Sequence, residues 1–146
     1  MAEIDLSGIT LFADLTPSQL QAVEQAFAEQ HAEPGQRLLR EGYEGTGFYV
    51  VLAGEASLVK GGEPVLSAAT DGQPSAPVTM RRGDWFGELS VLFGESPVAD
   101  VVAATPMTLL VLPPNELEEF LLRFPRVMLR LLKGVAWRAR DPERWK

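Results

Sequence analysis

The residues best suited to hold a ligand lie in the run GDWFGELSVLFG, residues 83–94. A strand that ends at Phe86 is followed by Gly87 and a short helical turn, whose free backbone amides can bind an anion. Glu88 offers an acceptor for the vicinal hydroxyls of a ribose, and Ser90 is small enough to let a ligand approach the backbone. Equally, Glu88 can simply cap the turn and stabilise its dipole. The run alone therefore leaves a binding role and a structural role open.

The sequence contains few residues that could support catalysis or bind a metal ion. The sequence has no cysteine and one histidine, His31. It therefore lacks the residues for disulfides, cysteine-based metal sites and a cysteine nucleophile, and almost all of those for a histidine cage or a Ser-His-Asp triad. We expect a protein that is not an enzyme and that holds no metal or cofactor, with His31 on the surface at the end of a helix.

Charge is distributed unevenly along the 146 residues, which fit one domain over residues 1–146. The net charge is −7, yet residues 123–146 hold 8 of the 13 Lys and Arg residues. An acidic protein is a poor general binder of nucleic acid, so we expect no sequence-specific nucleic-acid partner. The simplest role for this basic segment is attraction to the chain's own acidic body. Docking to an acidic partner is the second interpretation, and nucleic-acid binding is the last.

Membrane association is not expected either. No apolar run approaches the roughly 20 residues of a membrane span, and the N-terminus lacks the features of a signal peptide. These observations predict a cytoplasmic protein.

Glycine and proline divide the middle of the chain into short apolar runs, which is typical of a barrel or double-sheet roll. The fold class expected is mainly β with flanking helices, a jelly-roll-like β-roll with one N-terminal and two C-terminal helices. The helices are predicted at 16–32, 115–124 and 125–140, and the roll at 36–112. The strands are predicted at 37–40, 48–53, 56–60, 77–80, 98–103 and 108–112, with a long loop at 61–76.

Capping signals and apolar spacing support the three helices. Thr16 and Gln19 form a capping box, and Asn115 is the expected N-cap of the second helix. In the third helix an apolar stripe is predicted to face inward, while the cations, Arg138 among them, lie mostly outside it. The stripe consists of Val127, Met128, Leu131, Leu132 and Val135.

Two motifs in order resemble the cyclic-nucleotide-binding domain, the β-roll module of catabolite-activator-type regulators, cyclic-nucleotide-dependent kinases and gated channels. They are GYEGTGFYVVLAG at 42–54 and FGELSV at 86–91, and the resemblance covers roughly residues 10–140. It implies that backbone amides hold a cyclic phosphate and that Glu88 holds the ribose 2′-hydroxyl. The implied binding residues are Gly87, Glu88, Leu89 and Ser90.

The run SPVADV at 96–101 departs from the family pattern. The resemblance implies an arginine that pairs with the phosphate, and the spacing of Ala99 and Val101 places that position at Pro97. Proline has neither a side-chain donor nor a backbone N–H, and Asp100 adds a negative charge nearby. Pro97, Val98 and Ala99 are nonetheless candidate ligand-contacting residues.

The C-terminal helices carry the remaining candidates. The resemblance implies that an aromatic residue there covers the bound base, and Trp137 is at about the right place, although a core or interface aromatic is the simpler interpretation. The helix at 125–140 can also pair with the same helix of a second copy of the chain through Val127, Leu131 and Val135.

Two functions therefore stay open. The first is a regulatory module with lost or altered ligand specificity that acts through another protein or as a homodimer. The alternative is a working cAMP or cGMP sensor that signals to a partner protein.

Overall fold

Two antiparallel sheets face each other in the computed structural model, which describes residues 5–43, 47–66, 72, 74–97 and 99–140. The helix-side sheet has the order β1 (Ala28–Ala32), β9 (Met107–Leu112), β3 (Phe48–Ala53) and β7 (Trp85–Phe86). The outer sheet has the order β2 (Arg37–Leu39), β8 (Asp100–Ala103), β4 (Ala56–Lys60) and β5 (Glu63–Pro64), and β6 (Thr79–Met80) also pairs with β4. The expected β-roll with flanking helices is confirmed.

Strand β3 shows why the helix-side sheet is apolar on both faces. Its side chains alternate, so that Phe48 and Val50 join the core beneath the helices while Tyr49 and Val51 join the core between the sheets. All four are buried. The sheet therefore separates two cores, one packed by helices and one inside the roll.

The first helix, α1, is shorter than predicted. It spans Pro17–Ala26, and Thr16 and Gln19 make the expected capping box. The prediction of a helix over 16–32 is wrong beyond that point, because residues 28–32 form β1 and pair with β9 from Ala28–Val111 to Ala32–Met107. Pairing with a buried strand overrides the high helix propensity of the alanine, glutamate and glutamine residues in this segment.

His31 consequently lies in a strand and not at a helix end. Its Nδ1 is 3.3 Å from the Thr108 hydroxyl, and its Nε2 is 3.7 Å from a Glu29 carboxylate oxygen.

The predicted loop at 61–76 contains some regular structure. Gly61 and Gly62 turn the chain into β5, and Leu66 pairs with Pro77 across an isolated bridge. Residues 67–71 and 73 lie outside the described part of the chain. Of the predicted strand at 77–80, Thr79–Met80 is β6.

A helical pair follows β9. A 3-10 turn, Pro114–Glu116, precedes α3 (Leu117–Arg123), and α4 follows at Pro125–Arg140. The helix predicted at 115–124 therefore begins later, and Asn115 is part of the 3-10 turn and not an N-cap. No helix among the described residues is long and apolar enough to cross a membrane.

Helix α4 packs on the helix-side sheet through only part of its predicted stripe. Val127 and Leu131 are buried in the core beneath the helices, whereas Leu132 is 63% exposed. Asp14 accepts two hydrogen bonds from Arg130, at 2.7 and 3.1 Å, which ties α4 to the segment before α1. Because Val127 and Leu131 cover their own roll, they are not available to pair with a second copy.

Candidate ligand-binding site

The turn at Gly87, which the sequence predicts as a ligand-binding site, begins at the end of β7, as expected. Gly87 has φ 93° and leads into α2 (Glu88–Phe93), which ends at Gly94. Position 87 requires glycine for two reasons. Its backbone angle lies in the left-handed region, and a Cβ there would overlap the carbonyl oxygen of Gly47, just before β3.

Glu88, the first residue of α2, is a buried carboxylate. Glu88 is 4% exposed, and its Oε1 accepts a hydrogen bond from Nη1 of Arg138 at 3.1 Å. Burial raises the pKa of Glu88 above its usual value, and the charge of Arg138 acts against that rise. The two side chains form an ion pair between the turn at Gly87 and α4.

Arg138 makes two further contacts with β7. Its Nη2 donates a hydrogen bond of 2.6 Å to the Trp85 carbonyl oxygen, and its guanidinium carbon lies 3.7 Å from the centre of the Trp85 ring. This is the geometry of a cation–π contact. The approach of α4 also depends on Gly134, because a Cβ there would overlap the Trp85 indole.

A cavity of about 410 Å³ opens beside this ion pair. Its size is within the range of about 300–1,000 Å³ that small-molecule sites occupy. Apolar side chains from both sheets form most of the wall, and they include Leu39, Leu58, Met80, Phe86 and Val101. The remaining lining residues are Gly87, Glu88, Leu89, Ser90, Glu95, Ser96, Pro97, Ala99, Val135 and Arg138.

The structure brings most of the predicted site residues to this cavity. Ala99 is buried there, and Pro97 lines it while its carbonyl oxygen accepts a hydrogen bond from the Gly42 amide at 3.0 Å. Val98 lies outside the described residues. Trp137 is 57% exposed and is not among the lining residues.

Two other charged groups near the turn, Arg82 and Asp100, point elsewhere. Arg82 donates hydrogen bonds to the backbone carbonyls of Asp5, Ser7 and Leu52 and does not line the cavity. Asp100 does not line the cavity; it accepts a hydrogen bond from the Glu41 amide at 2.7 Å.

Arg138 is the cation of the site, and the sequence analysis missed it. The prediction that it lies mostly outside the inward stripe is wrong, because it lines the cavity together with Val135. The spacing contained the signal: position 138 follows Leu131 and Val135 at i+7 and i+3 and so lies on the same helix face.

Comparison with known proteins identifies the family and the fold. The sequence model of the cyclic nucleotide-binding domain matches residues 29–124. The cAMP-dependent protein kinase regulatory subunit of Hypocrea atroviridis is 31% identical over 121 residues, 83% of this chain and 24% of that protein. The chain thus spans about a quarter of the length of the first curated relatives it matches.

Solved structures with the same fold include two regulators. The catabolite activator protein of Thermus thermophilus superposes with a TM-score of 0.75 at 24% identity, covering 92% of this chain and 60% of that one. The regulatory subunit of a cAMP-independent protein kinase A from Trypanosoma brucei superposes with a TM-score of 0.70 at 26% identity, covering 95% of this chain and 46% of that one.

Proposed function

The chain belongs to the cyclic nucleotide-binding domain family, and we propose that it is a non-catalytic regulatory module whose ligand preference has changed. In this proposal cAMP and cGMP bind weakly, and the module acts through contact with another protein. The observation that carries the proposal is Pro97 in the cavity wall, at the position where the family resemblance implies the arginine that pairs with the phosphate.

The missing arginine has a large expected effect on affinity. Removing one partner of a buried charge pair costs about 2–5 kcal/mol, and about 3 kcal/mol corresponds to more than about a hundredfold in Kd. Of the described residues that line the cavity, Arg138 is the one cation, and it is paired with Glu88. A cyclic phosphate at Pro97 would therefore have backbone amides but no guanidinium at that wall.

A solved regulator with the same fold is a parallel case. The Trypanosoma brucei protein with the same fold is described as the regulatory subunit of a cAMP-independent kinase. That description supports a changed ligand preference on a preserved β-roll.

Isothermal titration calorimetry with cAMP and cGMP tests the proposal. We expect a Kd weaker than about 100 μM, because a charge-assisted pair with the phosphate is absent. Pro97→Arg should tighten binding at least tenfold, while Pro97→Ala, the matched control, should not. A wild-type Kd in the low micromolar range would contradict the proposal.

A working cAMP or cGMP sensor is the second candidate. The left-handed Gly87 turn and the buried Glu88 carboxylate favour it, because both are the features that the resemblance assigns to ribose and phosphate binding. The same titration distinguishes the two candidates, since the sensor requires tight binding by the unmodified protein.

Helices α3 and α4 offer the apolar surface for a protein contact. Leu122, Leu129 and Leu132 are all exposed, at 68%, 45% and 63%. A homodimer through residues 125–140 would use this surface in place of the buried stripe. Sedimentation velocity should then show a dimer that Leu132→Glu dissociates and the control Arg126→Glu does not. A monomeric wild type would exclude the homodimer and leave a different protein as the partner.

A further inference from the structure

The outer face of α4 takes no part in the cavity or in the core. Val127 and Leu131 hold the inner face of the helix against the roll. Leu129, Leu132 and Ala136 lie on the opposite face and are exposed. A row of exposed apolar side chains on one helix indicates an interaction surface, because its contact with water is unfavourable.

The spacing of this row is that of a coiled-coil seam. In the heptad notation abcdefg, the apolar positions a and d contact the partner helix. Leu129 and Ala136 take position a, and Leu132 takes position d. The row is narrow, as in a seam between two helices, and lacks the width of a face that packs on a core. Helix α4 has 16 residues and a length of about 24 Å, so it offers about two heptads.

Cations line one edge of the seam. Arg126 and Lys133 both take position e, and the sequence has a third cation, Arg140, at the same spacing of seven. Arg126 and Lys133 are exposed, and neither forms an ion pair within the part of the chain that the structure describes. Both lie near Asp14, but that carboxylate accepts its hydrogen bonds from Arg130. The edge therefore has positive charge available for a partner.

A second copy of α4 does not supply the matching carboxylates. Residues 125–140 contain no Asp or Glu. In a parallel pair, position e faces position g of the other helix, and the g positions here are Met128 and Val135. In an antiparallel pair, e faces e, so cations would meet cations, which is unfavourable. The seam therefore fits a helix of a different protein better than a second copy.

An anionic membrane is a poorer match for the same face. A narrow seam buries less apolar surface in lipid than the wide apolar face of an interfacial helix. Of the 20 Asp and Glu residues, 18 lie in residues 1–122, so the acidic body repels an extended anionic surface. A single helix that contacts only α4 avoids most of this repulsion, because charges are screened beyond about 8 Å at physiological salt.

On these grounds we infer that the outer face of α4 binds an acidic amphipathic helix of a different protein. The partner helix has apolar residues in its seam and carboxylates beside Arg126 and Lys133. The inference rests on the proposed function, because it names the kind of protein through which the module acts. Apolar burial along the seam supplies the affinity, and the charge pairs at its edge select the partner.

Two designed peptides of three heptads test the inference with the full chain. Both have leucine at positions a and d, but one has glutamate and the other lysine at positions e and g. Like charges keep each peptide from pairing with itself. Fluorescence anisotropy should show that the glutamate peptide binds at least about tenfold more tightly than the lysine peptide. Its affinity should fall as salt is raised from about 50 to about 300 mM.

Charge reversal tests the cationic edge. Arg126→Glu combined with Lys133→Glu should reverse the preference, so that the lysine peptide binds more tightly. Arg40→Glu combined with Lys60→Glu is the matched control, because it changes the net charge equally at two exposed positions of the roll. This control should keep the preference for the glutamate peptide. All four side chains are exposed, and circular dichroism checks that both variants are folded.

A leucine substitution tests the seam. Leu132→Ser removes an exposed side chain from position d and should weaken binding of the glutamate peptide about tenfold, as expected when the burial of one leucine is lost. Leu66→Ser is the matched control, because Leu66 is also an exposed leucine, at 50%, but lies outside α4. It should leave the affinity unchanged.

The outcomes separate this inference from the changed ligand preference, which the titrations with cAMP and cGMP test independently. Equal binding of the two peptides, or no binding of the glutamate peptide at about 1 mM, would overturn the inference and leave those titrations unaffected. A dimer of the unmodified chain that Leu132→Ser dissociates would also overturn it, because a second copy would then occupy the seam. Binding to vesicles of phosphatidylserine and phosphatidylcholine that Leu132→Ser abolishes would assign the seam to a lipid surface instead.

Discussion

Replacing Arg138 by methionine tests how much its ion pair with Glu88, which joins α4 to the turn at Gly87, stabilises the fold. Arg138→Met keeps an apolar stem over Trp85 but leaves the buried Glu88 carboxylate without its cation. Removing one partner of a buried pair costs about 3–5 kcal/mol. The Arg138 side chain is 18% exposed and that of Glu88 is 5% exposed, so water offsets part of the loss and we expect about 2–3 kcal/mol at pH 7.

The pH dependence of the loss identifies Glu88 as its cause. Burial raises the pKa of Glu88 in the folded protein above its usual value. A carboxyl with a raised pKa contributes stability below its unfolded pKa, and this contribution is lost as the pH rises through its folded pKa. Without Arg138 the folded pKa rises further, and stability continues to fall over a wider range. The deficit of the variant should therefore be larger at pH 8 than at pH 5.

Urea unfolding followed by circular dichroism from pH 5 to pH 8 measures this deficit. Arg130→Met is the matched control, because it removes the exposed pair with Asp14 from the same helix. The pKa of Asp14 is lowered by Arg130, so that pair stabilises above the usual carboxyl pKa and is lost as pH falls through the folded value. The control should show a smaller deficit that stays constant from pH 5 to pH 8.

A double variant completes the test. Glu88→Gln combined with Arg138→Met removes both charges and should be more stable at pH 8 than Arg138→Met alone, since no unpaired carboxylate is left. An Arg138→Met deficit that is the same at pH 5 and pH 8 would refute the argument, because the loss would then come from packing and not from the buried charge.

Three further changes probe backbone fit and packing. Gly87→Ala should destabilise the protein strongly in thermal unfolding, because a side chain meets backbone there, whereas Gly94→Ala, with a similar backbone angle and open space, should cost less. Gly134→Ala should lower the melting temperature despite the better helix propensity of alanine, since the added methyl overlaps the indole beneath α4. Leu131→Ala should cost about 2–4 kcal/mol in urea unfolding, as expected for a buried leucine. The exposed Leu132→Ala should change stability by less than about 0.5 kcal/mol.

Local patterns predicted most of the roll. The strands Phe48–Ala53 and Ala56–Lys60 have the predicted bounds, because each is a continuous apolar or alternating run between turn glycines. Strand β1 was missed for the opposite reason. Its residues, Ala28–Ala32, continue the composition of α1, and only their pairing with the distant β9 makes them a strand.

The site residues that lie close together in the sequence were predicted, whereas a distant one was not. Gly87, Glu88 and Ser90 lie in one short motif that can be interpreted from spacing alone, and all three line the cavity. Arg138 is 50 residues away from Glu88 in sequence. Its spacing from Leu131 and Val135 places it on the inward face of α4, but its contact with Glu88 depends on where α4 crosses β7, which no local pattern predicts.

The placement of Trp85 gives this protein a built-in optical reporter of helix position. The indole is 9% exposed, with the Phe48 ring 6.3 Å from it on one side and the Arg138 guanidinium over its face. Its fluorescence should be blue-shifted and sheltered from acrylamide, in contrast to the exposed Trp137. With Trp137 and Trp145 changed to phenylalanine, the remaining emission would respond whenever α4 lifts from β7, so that movement of the helix can be followed in real time without an attached dye.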